Sequence, residues 1–264
     1  MEGGDEMPLH WRGRAALAVV VVLAADLQCA VAGEGLLAVD VGHTLAAAGA
    51  TSARGRGEFA FNLELAGHLA DALHERRWAV RTINADGRID SLRARSQAAS
   101  GAAFLLSVHH DSVNAFELRP WRWDGQALDY NDEFAGHSLF VSRDNPHTAM
   151  SILCARSIGA RLQRMGFEPT HKNGRRRSYA DRTHAVHYYD GLAVLRHARM
   201  PAVLFEAGVI KNRDEELRLR DPVLQARMAD AIATGISACL RNGLPADDEA
   251  AADQPDPPAA TPGG

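Results

Sequence analysis

Side chains that commonly bind metal ions stand at the ends of apolar segments in this sequence. His43 closes the segment VDVGH, His109 lies in SVHHD and Glu206 lies in FEAG. Glu58 opens an apolar helical pattern shortly after the first of these segments. Because open α/β sheets bind ligands at the carboxyl ends of their strands, we expect these four side chains to converge at one edge of a sheet.

The chemistry of this set is that of a hydrolytic zinc centre. Such centres use three protein ligands of the histidine and carboxylate type, at about 2.0–2.2 Å, and leave a position for water. His43, Glu58 and His109 could supply the ligands, and Glu206 could take and return a proton as a free carboxylate. The spacing alone is weak evidence, since no HExxH or CxxC motif places several ligands on one element, and a single His after a strand is more often structural than a ligand.

The apolar pattern predicts the elements that would position these residues. Strands are predicted over 36–41, 79–83, 103–109, 138–142 and 202–206, and helices over 57–76, 91–100, 147–165 and 221–241. The first helix rests on Phe61, Leu65, Leu69 and Leu73 at four-residue spacing. Strands that alternate with helices are typical of a parallel sheet covered on both sides. We therefore predict an α/β fold, a single domain with a mostly parallel central sheet flanked by helices on both faces.

Two segments interrupt this alternation. Residues 114–136 are rich in Trp and charge, and residues 167–191 are rich in Arg, His and Tyr. Long segments of this kind in a compact domain often carry function. Trp121, Trp123 and Tyr130 could stack on a glycan through their ring faces, or they could form a small cluster under the loop, and the sequence leaves both interpretations open.

The first 32 residues have the organisation of a secretory signal peptide. A basic WRGR is followed by an apolar run over 15–25 and by the small residues of Ala30-Val31-Ala32. The apolar run falls short of the ~20 residues that span a bilayer, so no membrane span is predicted after cleavage. We expect an exported protein, periplasmic or secreted, with a catalytic domain over 33–244 and a disordered acidic, Pro-rich tail over 245–264.

Composition excludes several other classes of protein. The chain has 264 residues, of which 46% are hydrophobic and 23% charged, enough for a folded core. Its net charge of −4 gives no clustered excess of cations for a phosphate backbone, so nucleic-acid binding is not expected. No P-loop, GxGxxG or GxSxG motif is present. Cys154 and Cys239 could form a disulfide in an oxidising compartment or remain as two buried thiols.

Four ordered segments give the chain a family resemblance. VDVGH, GRGEFAFNLELAGHLADAL, LRARSQAAS before AFLLSVHHDS, and VLRHARMPAVLFEAGVIKN resemble the successive motifs of the zinc-dependent N-acetylmuramoyl-L-alanine amidases of the amidase-3 family. The resemblance implies that His43, Glu58 and His109 bind Zn²⁺ and that Glu206 is catalytic. Two departures are His110-Asp111 where the family usually has Ala-Asn, and Gly208-Val209 where it usually has Gly-Phe.

Several further residues lie near these motifs in the sequence. His110 is expected to be a partly exposed loop residue, although it could also contact substrate. Asp111 could orient a ligand imidazole or form a turn. His184 and His187 are expected at the surface, although they could contact substrate. Arg95, which lies where the family has an Arg, is expected to be structural and to pair with backbone or carboxylate groups.

The resemblance implies an exported hydrolase that cleaves the amide between N-acetylmuramic acid and L-alanine in peptidoglycan or in muropeptides. One alternative is a zinc peptidase that acts on peptidoglycan stem peptides with the same metal chemistry. Another is a non-catalytic peptidoglycan-binding module that keeps the fold. The presence of all four chemically necessary side chains favours an enzyme, and the sequence leaves open whether a protein activator is needed.

Overall fold

A seven-stranded sheet lies at the centre of residues 35–243, the part of the chain that the computed structural model describes. The strands are β1 (Leu36–Val41), β2 (Ala79–Ile83), β3 (Phe104–Asp111), β4 (Arg119–Trp123), β5 (Gln126–Tyr130), β6 (Ser138–Val141), β7 (Tyr179–Asp181), β8 (Val186–Tyr188) and β9 (Ala202–Val209). The helices are α1 (Glu58–Glu75), α2 (Leu92–Ala98), α3 (Thr148–Arg164), α4 (Ala193–Arg196), α5 (Arg213–Leu219) and α6 (Pro222–Asn242). The predicted signal peptide and the predicted tail lie outside the described residues and stay predictions.

The sheet has the order β2-β1-β3-β9-β6-β8-β7, and β4 and β5 form a separate hairpin. β2, β1, β3 and β9 all run parallel to one another. β6 runs antiparallel to β9, β8 is parallel to β6, and β7 is antiparallel to β8. The predicted mostly parallel sheet is therefore confirmed, and its antiparallel pairings lie in the half that begins at β6.

Helices cover both faces of the sheet, as predicted. Successive strand residues point to opposite faces, so the same strands contribute to two separate cores. Leu106 and Phe205 point into the larger core, which α1, α3 and α6 complete. Leu105 and Leu204 point to the other face, where the smaller core is completed by α2 and α4. Since α2 and α4 are short, this second face is less fully covered near the carboxyl ends of the parallel strands.

β3 and β9 extend beyond their predicted ends at His109 and Glu206. The strand ladder pairs His109 with Glu206 and continues to pair Asp111 with Val209 across a bulge. The prediction ends each strand at its first charged or ionisable residue, whereas backbone pairing does not depend on side-chain polarity and continues through buried residues such as His110 and Val209. The two polar residues therefore lie inside strands and not after them.

The two predicted loops contain regular structure that the sequence analysis left out. Residues 114–136 hold the β4–β5 hairpin, whose turn residues Asp124 and Gly125 have φ values of 48° and 74°. An Asp-Gly pair is a strong hairpin signal for this reason. Residues 167–191 hold β7 and β8. Helix α5 was also not predicted, since its sequence RDEELRL carries no apolar stripe.

Within the described residues no helix is long and apolar enough to cross a membrane. Cys154 on α3 and Cys239 on α6 form a disulfide, with their Cα atoms 5.1 Å apart and a sequence separation of 85. Of the two possibilities left open by the sequence, the structure therefore has the bridge. It joins two of the three helices that cover the larger core.

Removing this bridge should destabilise the protein without changing its fold. A crosslink over so long a loop restricts the unfolded chain, and its loss typically costs about 2–4 kcal/mol. We expect C154A/C239A to show this decrease in the free energy of unfolding by urea denaturation. Reduced wild type, which keeps both sulfur atoms in the core, is the control. The bridge leaves Cys29 as the one free thiol of the full-length protein. Reaction of all three cysteines with a thiol reagent in unfolded, unreduced protein would therefore contradict the bridge.

Candidate metal centre

His43 lies two residues beyond the end of β1 in a left-handed backbone conformation, with φ of 67°. This conformation is costly for a residue with a side chain and must be held by its surroundings. The His43 carbonyl accepts a hydrogen bond from the Asn84 amide at 2.6 Å and another from the Arg95 guanidinium. Arg95 is buried and also donates to the Val41 carbonyl at 2.9 Å, so it is structural, as expected. These contacts fix the direction of the imidazole.

Glu58, the first residue of α1, is buried and bridges the two predicted histidine ligands. Its Oε2 lies 3.0 Å from His43 Nε2 and its Oε1 lies 3.0 Å from His109 Nδ1. The backbone N–H groups of Ala50 and His110 donate to the carboxylate at 3.1 and 3.2 Å. Burial acts to raise the pKa of Glu58, but the hydrogen bonds with His109 and His43 outweigh it and hold that pKa below its usual range. The carboxylate is therefore ionised.

The donor set fits a divalent metal ion. His43, Glu58 and His109 each offer one ligand atom, and these atoms lie within 4.8 Å of one another. Two imidazole nitrogens and one carboxylate oxygen are the ligands that zinc prefers in hydrolytic sites. Gly49 completes the cradle, since a Cβ there would lie 2.5 Å from Glu58 Oε2 and 2.6 Å from the His43 ring.

Glu206 lies beside this set, opposite His109 in the β3–β9 ladder. Its Oε2 is buried and has no hydrogen-bond partner within residues 35–243. Burial, together with the negative charges of Asp111 and Glu58, raises the pKa of Glu206 well above its usual range. A buried, unpartnered carboxyl oxygen with a raised pKa is typical of a residue that transfers protons.

His110 and Asp111 have structural roles that the sequence did not predict. His110 is buried and contacts Asn62 through its Nδ1 at 2.8 Å, so the prediction of a partly exposed loop residue was wrong. Burial lowers the pKa of His110 to about 3, which keeps the imidazole neutral. Asp111 forms an ion pair with Lys172 at 2.8 Å and accepts from Asn173 at 2.9 Å.

The aromatic residues of the hairpin form a packed cluster. Trp121 and Trp123 stack with their ring centroids 5.5 Å apart. Arg54 lies 4.7 Å over the Trp123 ring, and Arg213 lies 3.9 Å over the Tyr130 ring. Cations thus occupy ring faces that a sugar would need, which favours the cluster interpretation over glycan stacking.

The two histidines that were predicted at the surface have different environments. His184 is partly buried and lies 2.9 Å from an Asp181 carboxylate oxygen. His187 is fully buried, between the rings of Phe140 and Tyr179 at 5.5 and 4.5 Å. The surface prediction was therefore wrong for His187, because that residue belongs to the unpredicted strand β8.

Fold and site together define a class, the α/β hydrolytic enzymes with a candidate metal centre at the carboxyl edge of a parallel sheet. The family model for N-acetylmuramoyl-L-alanine amidase, Amidase_3, matches residues 37–238. The chain therefore belongs to the N-acetylmuramoyl-L-alanine amidase family, whose enzymes act on cell-wall peptidoglycan. A search of curated proteins found no match.

Solved amidase structures share the fold. The chain is similar to the amidase Ami1 of Mycobacterium smegmatis, with 17% identity, a TM-score of 0.65, and coverage of 80% of this chain and 99% of that one. It is also similar to the catalytic domain of CwlV of Bacillus (Paenibacillus) polymyxa var. colistinus, with 24% identity, a TM-score of 0.61, and coverage of 78% and 98%. An amidase of Clostridium difficile 630 gives 22% identity, a TM-score of 0.63, and coverage of 78% and 97%.

Gly49 gives a test of the metal centre that leaves every predicted ligand in place. In G49A the added methyl group would push against Glu58 and His43, so we expect zinc affinity to fall about 10–100-fold, as when groups that support ligands are altered. G101A is the matched control, since Gly101 also has a positive φ, +82°, but a Cβ there meets nothing within 4 Å. Equal zinc affinity of the two variants, measured against a chromophoric chelator, would contradict the cradle.

Proposed function

We propose that this amidase binds a zinc ion through His43, Glu58 and His109 and transfers protons through Glu206. The reaction is hydrolysis of the amide that joins N-acetylmuramic acid to L-alanine in peptidoglycan. The observation that carries the proposal is the convergence of two imidazoles on the two oxygens of the buried Glu58 carboxylate, at 3.0 Å each. Membership of the amidase family supports the choice of the scissile bond.

The chain's own groups divide the work of the reaction. Zinc, when bound, would polarise the scissile carbonyl and lower the pKa of the attacking water. Ala50 and His110 hold the Glu58 carboxylate in one orientation through their N–H groups. Glu206 takes a proton from the water on its unpartnered Oε2 and returns it to the leaving amine of L-alanine. Burial and the nearby negative charges raise the pKa of Glu206, and a raised carboxyl pKa is a common feature of glutamates that transfer protons.

Export of the protein forms part of the proposal. Peptidoglycan lies outside the cytoplasmic membrane, and the sequence of residues 1–32 predicts a secretory signal peptide. The Cys154–Cys239 disulfide supports an oxidising compartment. We place the protein in the periplasm or outside the cell on these grounds.

The roles of the two glutamates can be separated by substitution. We expect E206Q to lower kcat by about 10²–10⁴-fold, the usual contribution of general acid–base catalysis, while its zinc content stays at the wild-type level. E58Q should instead lose both zinc and activity, because it removes an anionic ligand. Zinc content by atomic emission and turnover of muropeptides are the measurements. Loss of zinc from E206Q would make Glu206 a ligand and overturn its assigned role.

The products identify the bond that is cleaved. With purified muropeptides we expect intact stem peptides with a free L-alanine amine, detected by mass spectrometry. A chelator should abolish their release, and added zinc should restore it. Products that retain L-alanine on the sugar would support a stem-peptide peptidase instead. Binding to sacculi without turnover would support a non-catalytic module.

A further inference from the structure

Two hollows of different chemistry adjoin the candidate metal centre. The first has a volume of about 500 Å³ and lies on the sheet face that α2 and α4 cover. Its wall is mostly apolar and includes Ala47, Leu92, Val194 and Leu204, and His43 and His109 border it. The second has a volume of about 220 Å³ and lies between the segment that follows β3 and residues 172–177.

The second hollow is connected to the other side of the centre through two polar contacts. Asp111, which borders it, stands two residues beyond His109 on β3. Asn173, which also borders it, donates to Asp111 Oδ2 at 2.9 Å and contacts Ser138 Oγ at 3.1 Å. Ser138 is the neighbour of Glu206 in the β6–β9 ladder. The first hollow thus adjoins the β1 and β3 side of the centre, and the second adjoins the β9 and β6 side.

The second hollow is bordered by two arginines, Arg176 and Arg177, that form no ion pair within residues 35–243. Lys172 and Arg175 also border it, but they are paired with Asp111 and Glu117. The Arg176 side chain is exposed and makes no hydrogen bond or ion pair within residues 35–243. Arg177 has one weak contact, at 3.4 Å to Asn173 Oδ1, and its guanidinium lies 3.8 Å over the Tyr189 ring. Stacking fixes the Arg177 guanidinium while leaving donors free for an anion.

The two sides of the scissile amide differ in charge, as the two hollows do. The muramoyl side is neutral once its lactyl carboxyl group is part of the amide. The stem peptide, on the leaving-amine side, carries free carboxylates. A carboxylate is the natural partner of a planar guanidinium, whereas a neutral sugar suits a largely apolar hollow with a few polar groups.

We propose that the second hollow binds a stem-peptide carboxylate through Arg176 and Arg177, and that the first hollow faces the muramoyl sugar. This inference rests on the proposed amidase function and adds the direction in which the substrate crosses the metal centre. It also makes the charge of the stem peptide a determinant of specificity.

The test compares two muropeptides, one with free stem-peptide carboxylates and one in which they are converted to methylamides. Wild type should favour the free form in kcat/KM by about tenfold, the scale of a partly exposed charge-assisted hydrogen bond. R176Q/R177Q should lose this preference by a decrease on the free form alone, mainly in KM. The preference should also shrink as salt is raised, since exposed charges are screened.

Controls separate this inference from a general charge effect and from misfolding. R182Q removes a cation from the same region of the chain. Because Arg182 is exposed and does not border the second hollow, this variant should keep the preference for free carboxylates. R176Q alone covers the case in which R177Q disturbs the loop. Arg176 is exposed, so its substitution should not affect folding and should still reduce the preference. No preference in wild type, or an equal loss in R182Q, would overturn the inference while leaving the amidase function intact. No turnover of either substrate by wild type would overturn the proposed function, and the inference with it.

Discussion

The buried, ionised carboxylate of Glu58 is the constraint on which the candidate site depends. An ionised group inside a protein is costly unless charges and hydrogen-bond donors surround it. Here they come from three different parts of the chain, His43 after β1, Ala50 in the following loop, and His109 with the His110 N–H on β3. The carboxylate therefore stays in place only when β1, β3 and the start of α1 are assembled. Its position at the first turn of α1 adds the favourable end of the helix dipole.

The approach of the two imidazoles depends on small residues and on one unusual turn. The His43 and His109 ring centroids are 5.0 Å apart. A Cβ at Gly42 would collide with the His109 ring, and a Cβ at Gly49 would collide with His43 and Glu58. The left-handed backbone at His43 turns the chain sharply at the end of β1, and Asn84 holds that turn through the carbonyls of Val41 and His43. These supporting groups restrict the imidazoles before any metal binds, which is how preorganised sites limit the cost of binding.

Sequence reasoning chose the four candidate site residues, which the structure brings together, because three of them end apolar segments, Glu58 opens a helix, and all four follow the order of a family's motifs. Apart from Arg95, it did not locate the residues that support them. Asn84 and Asn62 act through contacts with residues 20 or more positions away, and no local pattern marks such a role. The disulfide was undecidable for the same reason, since the 85-residue separation sets no distance between α3 and α6. The β4–β5 turn, by contrast, had a local signal in Asp124-Gly125 that the charged composition of its segment obscured.

The antiparallel placement of β6 explains why the Arg-rich segment borders the site. In a wholly parallel sheet the residues after β6 would lie at the edge that carries the metal centre. Because β6 runs the other way, its first residue, Ser138, is the one beside Glu206. The residues after β6 lie at the opposite edge, where Asn145 donates to the Met200 carbonyl just before β9. The chain near 169 pairs with His137, immediately before β6, so the following residues, with their arginines, lie at the edge of the sheet that carries the candidate metal centre. The antiparallel orientation of β6 thus places the arginines of residues 175–177 on one side of the candidate metal centre.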